Sequence, residues 1–219
     1  MDSFKKWDSH KVGETVWINK NLDHPHRQQY IDHILKDDSI KSVLEIGGGE
    51  LLEAQKILSA KPDLQYTAVD VSTSFLENCR RLSNVKCVEG SMHKLPFEDK
   101  QFDIVVLSNV LEHSPDLLKT VDEIKRVSNR YFIIMFKWRM KTGGLTPNYS
   151  AKKKYFSTYY NMPSLLQLLT KQSSRICVSA ITKSGEHMSY EQYIKTVISP
   201  DADDWRNGDR LIIEGEFNE

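Results

Sequence analysis

The sequence predicts a single α/β domain whose mostly parallel sheet is covered by helices on both faces. The chain has 219 residues, which is enough for one domain with a substantial core. From about residue 26 to residue 137, short apolar runs alternate with segments of helical periodicity. This alternation is typical of parallel strands that are joined by crossover helices.

Seven strands are predicted, and each corresponds to a short apolar run. Phe102–Leu107 gives the strongest signal, because three of its central residues are β-branched in unbroken succession. The predicted strands are Ser42–Ile46, Gln65–Asp70, Val85–Glu89, Phe102–Leu107, Tyr131–Phe136, Arg175–Ile181 and Arg210–Glu214.

Helices are predicted between these strands, where apolar residues recur every three or four positions. Ser72 is predicted as the N-cap of one of them. Ser114 followed by Pro115 is predicted to open the helix that ends near Val127, because proline is favoured at the first helical position. The other predicted helices are His26–Lys36, Leu51–Ser59, Ser72–Leu82 and Pro163–Lys171.

Charge and cysteine usage exclude several classes of protein. Lys plus Arg and Asp plus Glu both number 30, and this zero net charge argues against a nucleic-acid partner. The three cysteines, Cys79, Cys87 and Cys177, are widely spaced, so neither a disulfide framework nor a metal site is expected. No run has the length of a membrane span or signal peptide, so we expect a cytoplasmic protein.

A glycine bend follows the first predicted strand, with Gly47, Gly48 and Gly49 leading into a helix. Glycine allows unusual backbone angles and lets a ligand approach the main chain closely. In dinucleotide-binding proteins such a bend receives a pyrophosphate, which Glu50 would repel here. The bend therefore favours a ligand without phosphates, although a simple tight turn would also explain it.

Polar residues follow three further strands at the same expected edge of the sheet. Asp70 ends the second strand, where a carboxylate can accept hydrogen bonds from both hydroxyls of a ribose. Ser91 and Met92 follow the third strand and could flank an adenine ring, although an ordinary surface loop explains them equally well. The segment 108–113 follows the fourth strand and lies where parallel sheets open into a crevice.

The string LPFEDKQFDIVVLSNVLEH, residues 95–113, followed by DEIKRV, makes the pattern specific. With the glycine bend it resembles the core of class I S-adenosylmethionine-dependent methyltransferases of the small-molecule branch, over residues 43–136. The resemblance implies a Rossmann-like, seven-stranded, mostly parallel sheet whose last strand is antiparallel and lies between the fifth and sixth. It also implies S-adenosyl-L-methionine as cofactor, S-adenosyl-L-homocysteine as product, and methyl transfer to an oxygen, nitrogen or carbon atom of a small molecule.

Specific cofactor contacts follow from the same resemblance. Gly47 and Gly49 would line the methionine part, Asp70 would hold the ribose, and Ser91 and Met92 would neighbour the adenine. Leu51 and Ser91 depart from the family, which usually has glycine and aspartate there, and residues 128–130 replace its usual Lys-Pro-Gly-Gly-like turn. The complete predicted set is Glu45, Gly47, Gly48, Gly49, Asp70, Val71, Ser91, Met92, Ser108, Asn109 and Val110.

His113 is the predicted general base, because an ordinary histidine pKa of about 6.5 suits proton removal near neutrality. The alternative is a histidine that only bonds a backbone carbonyl or touches the cofactor.

A basic run at residues 152–154 lies among tyrosines and could bind an anionic group or be a solvated turn. The predicted substrate contacts are His24, His26, Trp138, Arg139, Tyr155 and Tyr159.

The predicted organisation is one domain over residues 1–219. Residues 1–40 would form a helical cap, residues 41–137 the cofactor-binding core, and residues 138–219 a substrate-side insertion with the C-terminal strands.

Three other functions stay open at this point. They are a nucleic-acid methyltransferase, for which the Asn/Asp-Pro-Pro-aromatic motif is lacking, a non-catalytic partner protein that keeps the fold, and an NAD-dependent enzyme, which Glu50 disfavours.

Overall fold

A large central sheet holds the predicted site loops at one edge. The structure is a computed structural model that describes residues 24–151, 155–196 and 209–218. Its strands are β1 Ser42–Ile46, β2 Gln65–Asp70, β3 Val85–Glu89, β4 Phe102–Ser108, β5 Ser128–Met135, β6 Trp138–Arg139, β7 Tyr149–Ser150, β8 Tyr155–Phe156, β9 Tyr160–Asn161, β10 Ser173–Ile181, β11 His187–Ser189 and β12 Arg210–Phe217.

The central sheet has the order β11–β10–β12–β5–β4–β1–β2–β3. Strands β1 to β5 are parallel to one another, and β12 runs antiparallel between β5 and β10. The Rossmann-like fold and its antiparallel last strand are thereby confirmed. The predicted count of seven was one strand short, because the three-residue β11 pairs antiparallel with β10 at the sheet edge.

Helices cover both faces of the sheet, as the alternating pattern predicts. The helices are α1 Pro25–Lys36, α2 Leu52–Ala60, α3 Thr73–Cys79, α4 Leu117–Val127, α5 Met162–Gln172 and α6 Tyr190–Thr196, with a 3-10 turn at Leu111–His113. Val43 and Val106 pack with α1 and α2 on one face. Their chain neighbours Leu44 and Val105 pack with α4 and α5 on the other. Strands β1, β2, β4 and β5 are therefore buried on both sides over most of their length, which explains their apolar character, whereas the edge strand β3 is only partly buried.

Helix α4 begins two residues later than predicted. Its N-cap is Asp116, whose carboxylate accepts a hydrogen bond from the Lys119 amide at 3.2 Å. Ser114 is instead fully buried, and its hydroxyl lies 2.8 Å from the Thr120 hydroxyl. The prediction from Ser114 and Pro115 was wrong because Asp116, an equally favoured capping residue, stands closer to the first apolar turn.

A disulfide joins Cys79, the last residue of α3, to Cys87 in β3, with their Cα atoms 5.9 Å apart. The expectation that the cysteines would not pair was therefore wrong. Their spacing in sequence gave no framework pattern, but α3 returns alongside β3 and brings the two side chains together. Cys177 is free and exposed. In the part of the chain that the structure describes, no helix is both long and apolar enough to cross a bilayer.

Leu51 has a left-handed backbone conformation, which glycine adopts more readily than leucine. Its φ of 55° and ψ of 36° are left-handed, which costs a leucine roughly 1–2 kcal/mol. Its side chain is only 2% exposed and packs in the core shared by α1 and α2. Burial of this large side chain offsets the backbone strain, since a fully buried leucine contributes about 1.5–3 kcal/mol.

The left-handed backbone of Leu51 predicts that glycine is more stabilising than alanine at position 51, which reverses their usual order within a helix. Leu51→Gly and Leu51→Ala should both be less stable than the parent, but the glycine variant should exceed the alanine variant by about 1 kcal/mol. At the exposed Gln55 in the middle of α2, alanine should instead exceed glycine by about the same amount. Urea unfolding of the four variants measures both differences, and alanine being the better residue at both positions would contradict a strained Leu51.

Candidate functional site

A cavity of about 520 Å³ lies at the carboxyl ends of the parallel strands. Its walls come from the loops after β1, β2, β3 and β4 and from the segment after β5. His113 and Tyr155 also line it. The structure brings every residue of the predicted cofactor set into this lining, namely Glu45, Gly47, Gly48, Gly49, Asp70, Val71, Ser91, Met92, Ser108, Asn109 and Val110.

The glycine bend lines the cavity with backbone atoms and without side chains. Gly47 and Gly49 have φ values of 69° and 56°, which favour glycine over any other residue. A Cβ atom built on Gly47 would lie 2.6 Å from Val110 Cγ2, whereas one on Gly49 would meet nothing within 4 Å. Gly47 is thus required for packing against the loop after β4, and the space over Gly49 is open to a ligand.

Two polar side chains are positioned at neighbouring strand ends. Asp70 Oδ1 accepts a hydrogen bond from the Ser72 amide at 2.9 Å, which orients the carboxylate at the end of β2. Asn109 follows β4 with a left-handed φ of 56°, a conformation that asparagine tolerates. Its Oδ1 is buried and has no hydrogen-bond partner among the described residues. A buried acceptor without a donor is rare, so Asn109 is suited to a donor on a bound ligand.

Glu45 at the end of β1 is a buried carboxyl held by two tyrosines. Its Oε2 accepts a hydrogen bond from the Tyr66 hydroxyl at 2.6 Å, and Tyr66 in turn contacts the Tyr30 hydroxyl. Burial, followed by the nearby charge of Glu53, raises the pKa of Glu45 to about 8. Glu45 is therefore mostly protonated near neutral pH in the absence of a ligand.

The raised pKa of Glu45 predicts how stability depends on pH. Between its ordinary pKa of 4.5 and the folded value of about 8, the folded chain binds the proton more tightly than the unfolded chain. The contribution of Glu45 to stability is therefore lost as pH rises through this window. The parent should lose stability relative to Glu45→Gln by up to about 1.4 kcal/mol per pH unit.

Denaturant unfolding at pH values from 5 to 8 measures this difference. Glu77→Gln is the matched control, because Glu77 is exposed on α3 and outside the cavity. Its curve should stay parallel to that of the parent. A Glu45→Gln curve that also stays parallel would contradict a raised pKa at Glu45.

His113 lines the cavity from the 3-10 turn after β4. Its Nδ1 lies 2.8 Å from the Phe156 carbonyl oxygen, and its ring meets the edge of Tyr155 at a centroid distance of 5.3 Å. A carbonyl can only accept, so Nδ1 carries the hydrogen and the lone pair of the neutral ring is on Nε2. The carbonyl contact that the sequence left as an alternative is present, and it fixes the tautomer that a general base needs.

Most of the predicted substrate contacts lie outside the lining. The rings of His24 and His26 lie 4.2 Å apart at a tilt of 56°. Burial, followed by the charge of Arg210, lowers the pKa of His26 to about 2. Trp138 is fully buried in the core against Tyr193. Arg139 and Tyr159 contact each other near the surface. Residues 1–23 and the basic run 152–154 lie outside the described residues.

Sequence reasoning missed the cationic wall of the cavity. Arg27, Lys137 and Arg210 line the cavity, together with the ring of Phe136. Arg210 was predicted to begin the last strand, and an antiparallel strand beside β5 starts at the carboxyl edge of the parallel ones. The predicted topology could therefore have placed Arg210 at the cavity, whereas no pattern in the sequence indicated that Arg27 lies there.

Comparison with known proteins agrees with this geometry. Residues 44–133 match a family model described as a methyltransferase domain. A malonyl-[acyl-carrier protein] O-methyltransferase of Halorhodospira halophila is 28% identical over 100 residues, which cover 44% of this chain and 34% of the relative. A demethylmenaquinone methyltransferase of Staphylococcus aureus is 29% identical over 123 residues, which cover 50% of this chain and 46% of the relative. The chain spans less than half the length of these curated relatives.

The fold is also shared with solved structures. An S-adenosylmethionine-dependent methyltransferase from Aquifex aeolicus superposes with a TM-score of 0.59 at 14% sequence identity. The superposition covers 99% of this chain and 98% of the Aquifex chain. The likeness therefore extends beyond the matched domain to β10 and β12.

Proposed function

We propose that this chain, which carries a domain of the class I S-adenosylmethionine-dependent methyltransferase family, transfers a methyl group to a small-molecule acceptor. S-adenosylmethionine is the cofactor of the domain. The observation that carries the proposal is the convergence of every residue expected to contact that cofactor on one cavity. These residues come from the ends of four strands, which meet at the carboxyl edge of the parallel sheet where ligands bind in such folds.

The chemistry of the lining supports this cofactor. The open space over Gly49 allows a ligand to lie on the backbone. Asp70 would hold the ribose hydroxyls, and Asn109 Oδ1 would accept a hydrogen bond from a donor such as the amino group of the methionine part. Ser91 and Met92 would neighbour the adenine. The carboxylate of Glu50 suits a ligand with a cationic sulfonium nearby.

The cofactor, when bound, supplies an electrophilic methyl group and leaves as S-adenosylhomocysteine. The protein's task is to align an acceptor atom and exclude water, and such positioning can supply several kcal/mol. His113 would accept the acceptor's proton at Nε2 while Nδ1 stays bonded to the Phe156 carbonyl. Tyr155 packs against the His113 ring and would limit its rotation.

Three observations support a small-molecule acceptor. The zero net charge does not favour a nucleic acid. The relatives are named for malonyl-[acyl-carrier protein] and demethylmenaquinone, which are not nucleic acids. The cavity is also lined by side chains of one compact region and has the concave form of small-molecule sites. We further propose a cytoplasmic location.

Methyl-labelled S-adenosylmethionine tests the proposal directly. The purified chain should move label into the small-molecule fraction of a cell extract, and heat-denatured protein should not. Label in purified RNA or DNA instead, with activity that falls steeply as salt rises, would replace the small-molecule acceptor with a nucleic acid. No transfer to any fraction despite cofactor binding would favour a non-catalytic partner protein.

A further inference from the structure

The cavity has a cationic end that the cofactor contacts proposed above do not use. Phe136 follows β5, and cations lie near its ring: Lys137 Nζ is 4.7 Å from the ring centroid and the Arg210 guanidinium carbon is 5.4 Å from it. All three side chains line the cavity. The end of the cavity near the glycine bend instead carries the carboxylates of Glu50 and Asp70. One end of the cavity therefore carries basic side chains and the other end carries acidic ones.

Arg210 has unused hydrogen-bonding capacity. One of its terminal nitrogens donates to the Asp209 carbonyl at 3.0 Å. Its Nε is buried and has no partner in the described part of the chain. An arginine has five N–H donors arranged in a fork that matches a carboxylate or phosphate. A buried arginine with an unpaired donor beside a cavity is suited to an oxyanion.

The carboxylates around Arg210 accept hydrogen bonds from other groups. Asp209 accepts hydrogen bonds from the Lys183 amide and the Tyr193 hydroxyl, each at 2.7 Å. Glu112 Oε1 accepts hydrogen bonds from the amides of Phe136 and Lys137 at 2.6 and 3.2 Å, whereas its Oε2 is buried without a hydrogen-bond partner among the described residues. Among the described residues, neither carboxylate forms an ion pair with Arg210.

The other basic side chains near Arg210 are less suited than Arg210 to bind an anion. Arg27 also has a buried Nε without a partner among the described residues, but it differs from Arg210 in forming an ion pair with Glu53 at 2.5 Å, which offsets its charge. The neighbouring histidines His24 and His26 are neutral near pH 7, because burial and the adjacent arginines lower the pKa of each. Lys137 Nζ donates to the Ser157 hydroxyl at 2.8 Å and lies 4.7 Å from the centroid of the Phe136 ring. Arg210 is thus the side chain best placed to receive an anion.

We infer that Arg210, with Lys137 on the same aromatic ring, binds an oxyanion of the methyl acceptor. The acceptor class is therefore a small molecule that carries a carboxylate or phosphate group. Phe136 and Tyr155 supply apolar surface for the part of the acceptor next to that group. This inference rests on the proposed function, since it assigns the acceptor half of the same cavity.

Calorimetry with small oxyanions tests the inference on protein saturated with S-adenosylhomocysteine. Benzoate and phenyl phosphate distinguish carboxylate from phosphate, and benzamide has nearly the shape of benzoate without its charge. At least one oxyanion should bind the loaded parent roughly tenfold or more tightly than benzamide, as expected for charge-assisted hydrogen bonds. Arg210→Gln should remove this preference, and Arg210→Lys should retain part of it.

Arg175→Gln is the matched control, because Arg175 lies on β10 with a side chain that is 76% exposed and lies outside the cavity lining. It should bind the oxyanions like the parent, and all three variants should bind S-adenosylhomocysteine within about twofold of it. Equal binding of benzoate, phenyl phosphate and benzamide, or binding of none, would overturn the inference. So would a loss of S-adenosylhomocysteine affinity in Arg210→Gln, because the anion would then be the cofactor's own carboxylate. Failure of the loaded state to form in the parent would overturn the proposed function as well.

Discussion

His113→Ala is expected to lower turnover by roughly 10²–10⁴-fold, the usual contribution of a positioned general base. Affinity for S-adenosylhomocysteine should stay within about twofold of the parent value. The reason is geometric: His113 lines the cavity, and the Phe156 carbonyl holds its Nδ1 hydrogen so that Nε2 is the basic atom. Single-turnover transfer of labelled methyl to the identified acceptor, with calorimetry of the product cofactor, measures both quantities.

Two further variants separate base chemistry from local structure. His113→Asn can still donate to the Phe156 carbonyl but cannot accept a proton at neutral pH, so it should be as slow as His113→Ala. His187→Ala is the matched control, since His187 is exposed on the edge strand β11. An asparagine variant with parental turnover would show that His113 only positions the loop. Equal losses of turnover and cofactor affinity in His113→Ala would make it a cofactor contact.

Asp70→Ala is expected to weaken S-adenosylhomocysteine binding by roughly 1–3 kcal/mol, which corresponds to about one to two orders of magnitude in Kd. Two ribose hydroxyls would lose their charged acceptor at the end of β2. Because Asp70 also accepts the Ser72 amide, the free energy of unfolding is measured in parallel to separate binding from stability. Asp38→Ala, which removes a carboxylate whose side chain is 95% exposed, should leave Kd unchanged. An unchanged Kd in Asp70→Ala would show that the ribose assignment is wrong.

The part of the fold that could be predicted from sequence is the part governed by local pattern. Strands β1, β2, β4 and β5 are rich in apolar residues because both of their faces are buried over most of their length, and that pattern is visible without the partners. The cofactor set lies directly after these strands, so predicting the strands also located its residues. Leu51, where the resemblance leads one to expect glycine, has a left-handed φ of 55°.

The remaining features depend on strand pairing and tertiary packing and not on a local periodicity. Strand β11 has three residues and exists through its pairing with β10, so it has no periodicity of its own. The Cys79–Cys87 disulfide depends on how α3 returns along β3. Trp138 was assigned to the crevice from its position after β5, but tertiary packing against Tyr193 buries it in the core instead. Arg27 reaches the cavity only because α1 packs across α2, where Glu53 holds it.

The central claim is that the glycine bend and Asp70 together form an adenosyl-binding site, and titration calorimetry with S-adenosylhomocysteine tests it most directly. The account predicts saturable binding of one molecule per chain, with affinity that falls in Asp70→Ala and persists in Asp38→Ala. Absence of binding at millimolar ligand to the folded parent protein would contradict it.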